Sequence, residues 1–174
     1  GTGGRLSYLK GHDYVLRIVS FRHVRYPGLK FLIVGDAFER YEYLYDKLAA
    51  IANELNIEKS VYTLGFRSYI ANIYKAIDIF VLPSTLADSF PTVILEAMAS
   101  GVPVVATRQG GAVEMIEDGK SGILIPINEP EKAAAIIDDL IKNKDMRIQM
   151  GKEAKLRVTK EFSLEAFNNA ITDI

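Results

Sequence analysis

Five short apolar runs punctuate the chain: Phe31–Val34, Val61–Leu64, Ile79–Leu82, Val102–Ala106 and Ile123–Ile125. Runs of this length without polar alternation suit strands buried on both faces, as in a parallel sheet covered by helices. Four of them end at residues made for tight turns or polar loops: Gly35-Asp36, Gly65, Pro83-Ser84 and Thr107. Between the runs the apolar period lengthens to that of a helix. His12 to Arg25 has apolar residues at 15, 16, 18, 19 and 21 and stops at Pro27-Gly28. Further helices are predicted over 39–55, 69–76, 91–100 and 111–117, with Pro91 in the first turn of one and Gly101 at its end. Beyond Glu129 only helical patterns remain, over 130–143, 145–159 and 163–173. The expectation is one α/β domain over 1–174: an open parallel sheet of about five to six strands, flanked by helices, with extra helices at the C-terminal end.

Composition narrows the chemistry. The 174 residues are 49% apolar, enough for a sizeable core. Lys plus Arg number 21 against 22 acids, so there is no basic excess to grip nucleic acid by counterion release. A local basic pocket is compatible with that balance. Cysteine is absent and the only histidines are His12 and His23, which argues against thiolate and histidine-rich metal sites. No apolar run reaches the roughly 18 residues of a membrane span, and no signal peptide is visible. A cytoplasmic location is the default expectation. The opening Gly1-Thr2-Gly3-Gly4 suggests a fragment of a longer protein.

Individual motifs leave alternatives open. Gly1-Thr2-Gly3-Gly4-Arg5-Leu6 fails as a dinucleotide fingerprint, because Leu6 stands at the sixth position and no run precedes it. Arg5 and Lys10 bracket a loop that enters a helix through Gly11. Such a pair can hold a diphosphate, by guanidinium fork, ammonium charge and helix amides, or can simply be solvated. Gly35 and Gly65 permit close approach of a ligand to the backbone, or plain turns. In Asp88-Ser89-Phe90-Pro91-Thr92-Val93 a helix start follows an acid; its free N–H groups attract phosphate. Asp88 fits either a ligand contact or a helix N-terminal anion. Glu96 lies too far along to cap, and its two acceptor oxygens suit a vicinal diol such as a ribose; a paired structural carboxylate is the alternative. Gln109-Gly110-Gly111 offers a further anion or hydroxyl site, or a turn.

Taken in order, these pieces resemble the C-terminal, nucleotide-sugar-binding domain of retaining glycosyltransferases with the GT-B fold, of the family 4 type. The resemblance covers nearly the whole chain. It is carried by Gly4-Arg5-Leu6 with Lys10-Gly11, Phe31–Asp36, Leu64-Gly65-Phe66, Val81–Ser84, and above all Asp88 to Thr107, where an acid, seven residues and Glu96 lead into Ala97-Met98-Ala99-Ser100-Gly101-Val102-Pro103. Gly110, Gly111 and Glu114 continue it.

The resemblance implies a Rossmann-like sheet and retaining transfer of a sugar from a nucleotide-diphosphate sugar, through a short-lived oxocarbenium-like pair. It implies that Arg5 and Lys10 neutralise the leaving diphosphate, that Asp88 faces the transferred sugar, and that Glu96 binds the ribose. Gly65 and Phe66 would line the base pocket, and the amides around Phe90, Pro91, Thr92 and Val93 would hold sugar and diphosphate. Gly4, Gly35, Ser84, Gly110 and Gly111 complete the implied donor site. No cofactor or metal is implied, since cations and helix dipoles take that part. The implied partners are the donor, an N-terminal domain outside this chain, and an acceptor glycan or lipid-linked glycan. Peripheral membrane association is common in the family.

Two features depart from the family pattern. The first acid is usually Glu followed by Gly-Phe-Gly, whereas here Asp88-Ser89-Phe90-Pro91 stands, one methylene shorter and one backbone donor poorer. The usual first strand has only Thr2 to Leu6 to supply it. Without the acceptor domain, this chain is expected to bind donor but not to turn over. A nucleotide-sugar epimerase of similar form and a non-catalytic nucleotide-sugar-binding module are the rival functions; the acid-x7-Glu element argues against the first.

Overall fold

The computed structural model describes residues 1–4, 6, 10–37, 39, 41–166 and 168. Every predicted strand is present, and a sixth precedes them. β1 is Thr2–Gly3, β2 Phe31–Val34, β3 Val61–Gly65, β4 Phe80–Leu82, β5 Val104–Thr107 and β6 Gly122–Ile125. They form two parallel three-stranded sheets, β1-β2-β3 and β4-β5-β6. The sheets abut where the Val81 amide donates to the Gly1 carbonyl at 2.8 Å and the Gly1 nitrogen donates to Ile79 O at 2.8 Å. The spatial order is β3-β2-β1-β4-β5-β6, which places a topological switch point between β1 and β4.

Among the described residues, the α-helices that join and cover the strands include α1 His12–His23, α2 Tyr43–Glu54, α3 Ile70–Ala76, α4 Thr92–Ala99, α5 Ala112–Met115, α6 Pro130–Lys142 and α7 Lys144–Glu161. The strand period of two divides the core between two layers. Ile33, Val81, Val105, Ile123 and Ile125 pack with Val15, Leu16, Ile18, Leu48, Ile137 and Leu140 from α1, α2 and α6. Phe80, Leu82, Val104, Ala106 and Leu124 pack on the other side with Tyr74, Ile94, Met98, Met115 and Ala154. No helix among the described residues is long and apolar enough to cross a membrane.

Several boundaries differ from expectation. Phe21, counted in the apolar period of α1, is 45% exposed, because the buried stripe runs through Val15, Leu16, Ile18 and Val19. The helix expected from residue 39 starts at Tyr43. Pro91 precedes α4 instead of lying in its first turn; its ψ of 88° is not helical. The helix expected over 163–173 falls largely outside the described residues.

Two contacts tie the helices down. Gly151 of α7 lies so close to α4 that a Cβ there would sit 2.1 Å from Gly101 O. On the opposite face, the buried Asp138 of α6 accepts from Tyr26 Oη at 2.7 Å and from Arg25 at 3.1 Å, and also pairs with Lys142. These donors, Lys142 first, hold its carboxyl below the usual carboxylate value. Gly151→Ala should therefore cost about 1–3 kcal/mol by overpacking, read as a lowered midpoint in urea denaturation. The contribution from Asp138 is complete above its ordinary pKa of 3.8 and disappears as pH falls through the depressed folded value. Asp138→Asn should accordingly lower stability at pH 7 and flatten the acid limb of the stability–pH curve.

Candidate functional site

The crevice at the C-terminal ends of β1 and β4 is shaped by backbone approaches that exclude side chains. Gly35 follows β2 with φ 137°, and a Cβ on it would fall 1.8 Å from Gly4 O. Only glycine meets both demands. Gly4 N donates to Val34 O and Gly35 N to Gly65 O, each at 3.0 Å, so the ends of the first three strands turn together. The nearest side chain to the open side of Gly4 is Val93 of α4, whose Cγ1 is 3.9 Å from the Cβ position. The start of α4 therefore faces the glycine turns.

α4 has no side-chain cap, and its first amide bonded back is that of Ile94, to Pro91 O at 2.9 Å. Helix amides point back along the axis, so those of Thr92 and Val93 present donors and partial positive charge toward the crevice.

Across the crevice, α1 begins at Gly11, which packs against Pro83 O at the end of β4. This contact sets Lys10 over the switch point. Its Nζ meets Asp88 Oδ2 at 2.7 Å, with the two side chains 26% and 34% exposed. The Lys10 ammonium, as hydrogen-bond donor, holds the Asp88 carboxyl below its ordinary value. Asp88 Oδ1 also accepts from Phe90 N at 3.3 Å. The backbone of Asp88 is clamped from behind: Gly111 N donates to its carbonyl at 2.8 Å. Gly110, with φ 52°, lies so close that a Cβ would sit 2.4 Å from Asp88 O. Gly111 stands equally near Ser89 O.

Ser84, at the end of β4, is buried, and its carbonyl accepts from Thr107 Oγ1 at 2.6 Å and from the Gln109 amide. Its own hydroxyl has no hydrogen-bond partner among the described residues, although buried hydroxyls are ordinarily paired. Glu96, in the second turn of α4, is exposed and not buried among its apolar neighbours. Its Oε2 accepts from Tyr74 Oη at 3.1 Å. Tyr74 itself is buried, and that burial, followed by the charge of Glu96, raises its phenol far above the usual value. The hydroxyl stays protonated and donates, fixing one carboxylate oxygen and leaving acceptor capacity on the exposed side.

The structure thus gathers Gly4, Lys10, Gly35, Gly65, Ser84, Asp88, Phe90, Pro91, Thr92, Val93, Gly110 and Gly111 around one switch-point crevice, with Glu96 farther along α4. Phe66 and Phe90, which follow Gly65 and precede Pro91, are 68% and 56% exposed. Arg5, the other predicted cation, lies outside the described residues. Sequence reasoning missed the pairing of Lys10 with Asp88, the Tyr74 contact to Glu96, and the hydroxyl of Thr107. Lys10 and Asp88 are 78 positions apart, and no local pattern signals that they meet.

Comparison with known proteins identifies the family and the fold. The family described as glycosyl transferases group 1 matches residues 2–157. D-inositol 3-phosphate glycosyltransferase of Corynebacterium jeikeium is 37% identical over 175 residues, covering 98% of this chain and 41% of the relative. Lipopolysaccharide core biosynthesis glycosyltransferase LpsE of Rhizobium meliloti is 29% identical, over 96% of this chain and 46% of its own. The chain spans less than half the length of these curated relatives. Among solved structures, Anabaena HepE in complex with UDP superposes with a TM-score of 0.90 at 30% identity, covering 99% of this chain and 47% of that one. The C-terminal domain of the group 1 glycosyltransferase LpcC from Francisella tularensis gives 0.84 at 27% identity, covering 94% of this chain and 86% of that one. By the extent of the family match, the shared fold and the crevice, this chain belongs to the group 1 glycosyltransferases and carries the Rossmann-like fold of their GT-B architecture.

Proposed function

We propose that residues 1–174 form the nucleotide-sugar-binding domain, the C-terminal half, of a two-domain glycosyltransferase that transfers its sugar with retention. The observation that carries this reading is the convergence of an uncapped helix start, a lysine and a carboxylate on a glycine-lined switch-point crevice. Support comes from HepE, whose structures hold UDP and UDP-glucose. The α4 amides and Lys10 hold the diphosphate, joined by Arg5. Asp88 faces the sugar, and Glu96 takes the ribose hydroxyls through the oxygens that Tyr74 orients. Gly65 and Phe66 border the base, and Ser84 supplies an unused hydroxyl inside the crevice.

In the transfer, the bond from the anomeric carbon to the β-phosphate oxygen breaks on the face where the acceptor oxygen bonds. The acceptor hydroxyl gives its proton to the departing phosphate oxygen. Lys10 and the helix amides stabilise the negative charge that grows on that oxygen, without a metal. The acceptor, a glycan or lipid-linked glycan, is held by the N-terminal domain, so this chain alone binds donor without turning it over. The family match leaves the epimerase alternative without support. A module that binds without catalysing remains the second reading, favoured by Asp88 where the family pattern has the longer acid.

Calorimetric titration with UDP, GDP and ADP should show binding of at least one nucleotide. Glu96→Gln should weaken it about tenfold, the loss of a charge-assisted hydrogen bond, and Tyr74→Phe should weaken it less. No binding of any of the three at millimolar concentration would overturn the donor-site assignment. Sugar transfer catalysed by the 174-residue chain alone would refute the division of labour between domains.

A further inference from the structure

The contact between Lys10 and Asp88 carries a consequence for which ligand the crevice retains. Both side chains are needed for the proposed donor, one for phosphate and one for sugar, yet each satisfies the other at 2.7 Å. The backbones that carry them are held: Gly11, beside Lys10, packs closely on Pro83 O, and the Asp88 peptide is pinned by Gly110 and Gly111. A phosphate entering the crevice must therefore draw the ammonium away from the carboxylate or share it.

Resting on the donor-site reading above, we infer that Asp88 acts as a specificity-determining residue that disfavours spent nucleotide relative to nucleotide sugar, by competing with the diphosphate for Lys10. The two ligands differ in what they give back. A nucleotide sugar brings hydroxyl donors to Asp88 in exchange for the Lys10 N–H, so the carboxylate stays hydrogen-bonded. A nucleoside diphosphate brings none, and its terminal phosphate adds negative charge near Asp88. The partly desolvated carboxylate, left with the Phe90 amide alone, then opposes retention of the product. The same contact keeps Asp88 ionised and aimed into the crevice between turnovers.

The test is calorimetric titration of the full 174-residue chain with UDP and UDP-glucose, comparing wild type, Asp88→Asn and Asp13→Asn. Asp13 lies in the first turn of α1, is exposed, and serves as a control for removing one negative charge near Lys10 without breaking an ion pair. Circular dichroism and thermal melts establish that each variant is folded; Asp88→Ser replaces Asp88→Asn if the latter is not. The expected result is UDP affinity raised about fivefold in Asp88→Asn, the size of a partly exposed ion pair, with UDP-glucose affinity unchanged or lowered and Asp13→Asn within twofold of wild type. UDP affinity unchanged or weakened by Asp88→Asn, or raised equally by Asp13→Asn, would overturn the inference while leaving the donor site standing. Where the wild type binds GDP or ADP in place of UDP, the same comparison is made with that nucleotide and its sugar; absence of binding of all three nucleotides would instead remove the donor-site reading, and this inference with it.

Discussion

The two half-sheets meet along a strand of two residues, and every group facing the crevice takes its position from that seam. β1 pairs with β2 through Thr2 and Gly3 and with β4 through the single turn of hydrogen bonds between Gly1, Ile79 and Val81. So short a strand contributes little pairing energy of its own. It is held by what packs above and below it: Ile33 and Val81 toward α1 and α6, Phe80 toward α3 and α4. The switch point exists because β4 returns to the inner edge of the first sheet, and the helices starting above it, α1 and α4, are thereby brought to face one another. A wider seam would carry side chains into the space the glycine turns leave open.

Electrostatically, the site works against an almost neutral background. With a net charge of -1 the chain offers no long-range attraction to an anion. Among the described residues, the local attraction comes from the Lys10 ammonium and the start of α4, and Asp88 subtracts from it by pairing with that ammonium. On the donor-site proposal, a diphosphate would be gripped by geometry more than by field. It accords with the close backbone contacts, which leave little freedom for the groups to reorganise when charge develops.

Strand positions were legible in the sequence because full burial leaves an unmistakable mark: β4, β5 and β6 are apolar almost throughout, and all their residues are buried. The start of α2 was not, because Tyr41 and Tyr43 continue an apolar period into residues that are in fact 43% and 45% exposed. Pro91 was misplaced for a related reason. Proline suits both the first helical turn and the residue before it, and only the backbone angle separates the two. In the site, glycines and acids could be named individually, since turns and carboxylates announce themselves locally. Their mutual arrangement could not. Whether Glu96 is buried depends on which side of α4 meets the sheet, and Ile94, Ala97 and Met98 take that side, leaving Glu96 outside with Tyr74 beneath it.

The short acid at position 88 is best understood from the backbone behind it. A carboxylate on a longer arm reaches its target by choosing among rotamers, and ordering it has an entropic cost that grows with each added bond. Here the peptide of Asp88 is held by the Gly111 amide and pressed by Gly110, where no Cβ fits, while Phe90 N steadies one carboxylate oxygen. The loop thus fixes the point from which the shorter side chain starts. Asp88 arrives within 2.7 Å of Lys10 with one side-chain bond fewer to freeze. Pro91 belongs to the same arrangement: its ring Cδ stands 3.1 Å from the Cβ position of Gly111, so the residue that removes a backbone donor also fills the gap against the glycine pair. Asp88, Pro91, Gly110 and Gly111 are one packed unit, and the length of the acid cannot be judged apart from the two glycines that set where it begins.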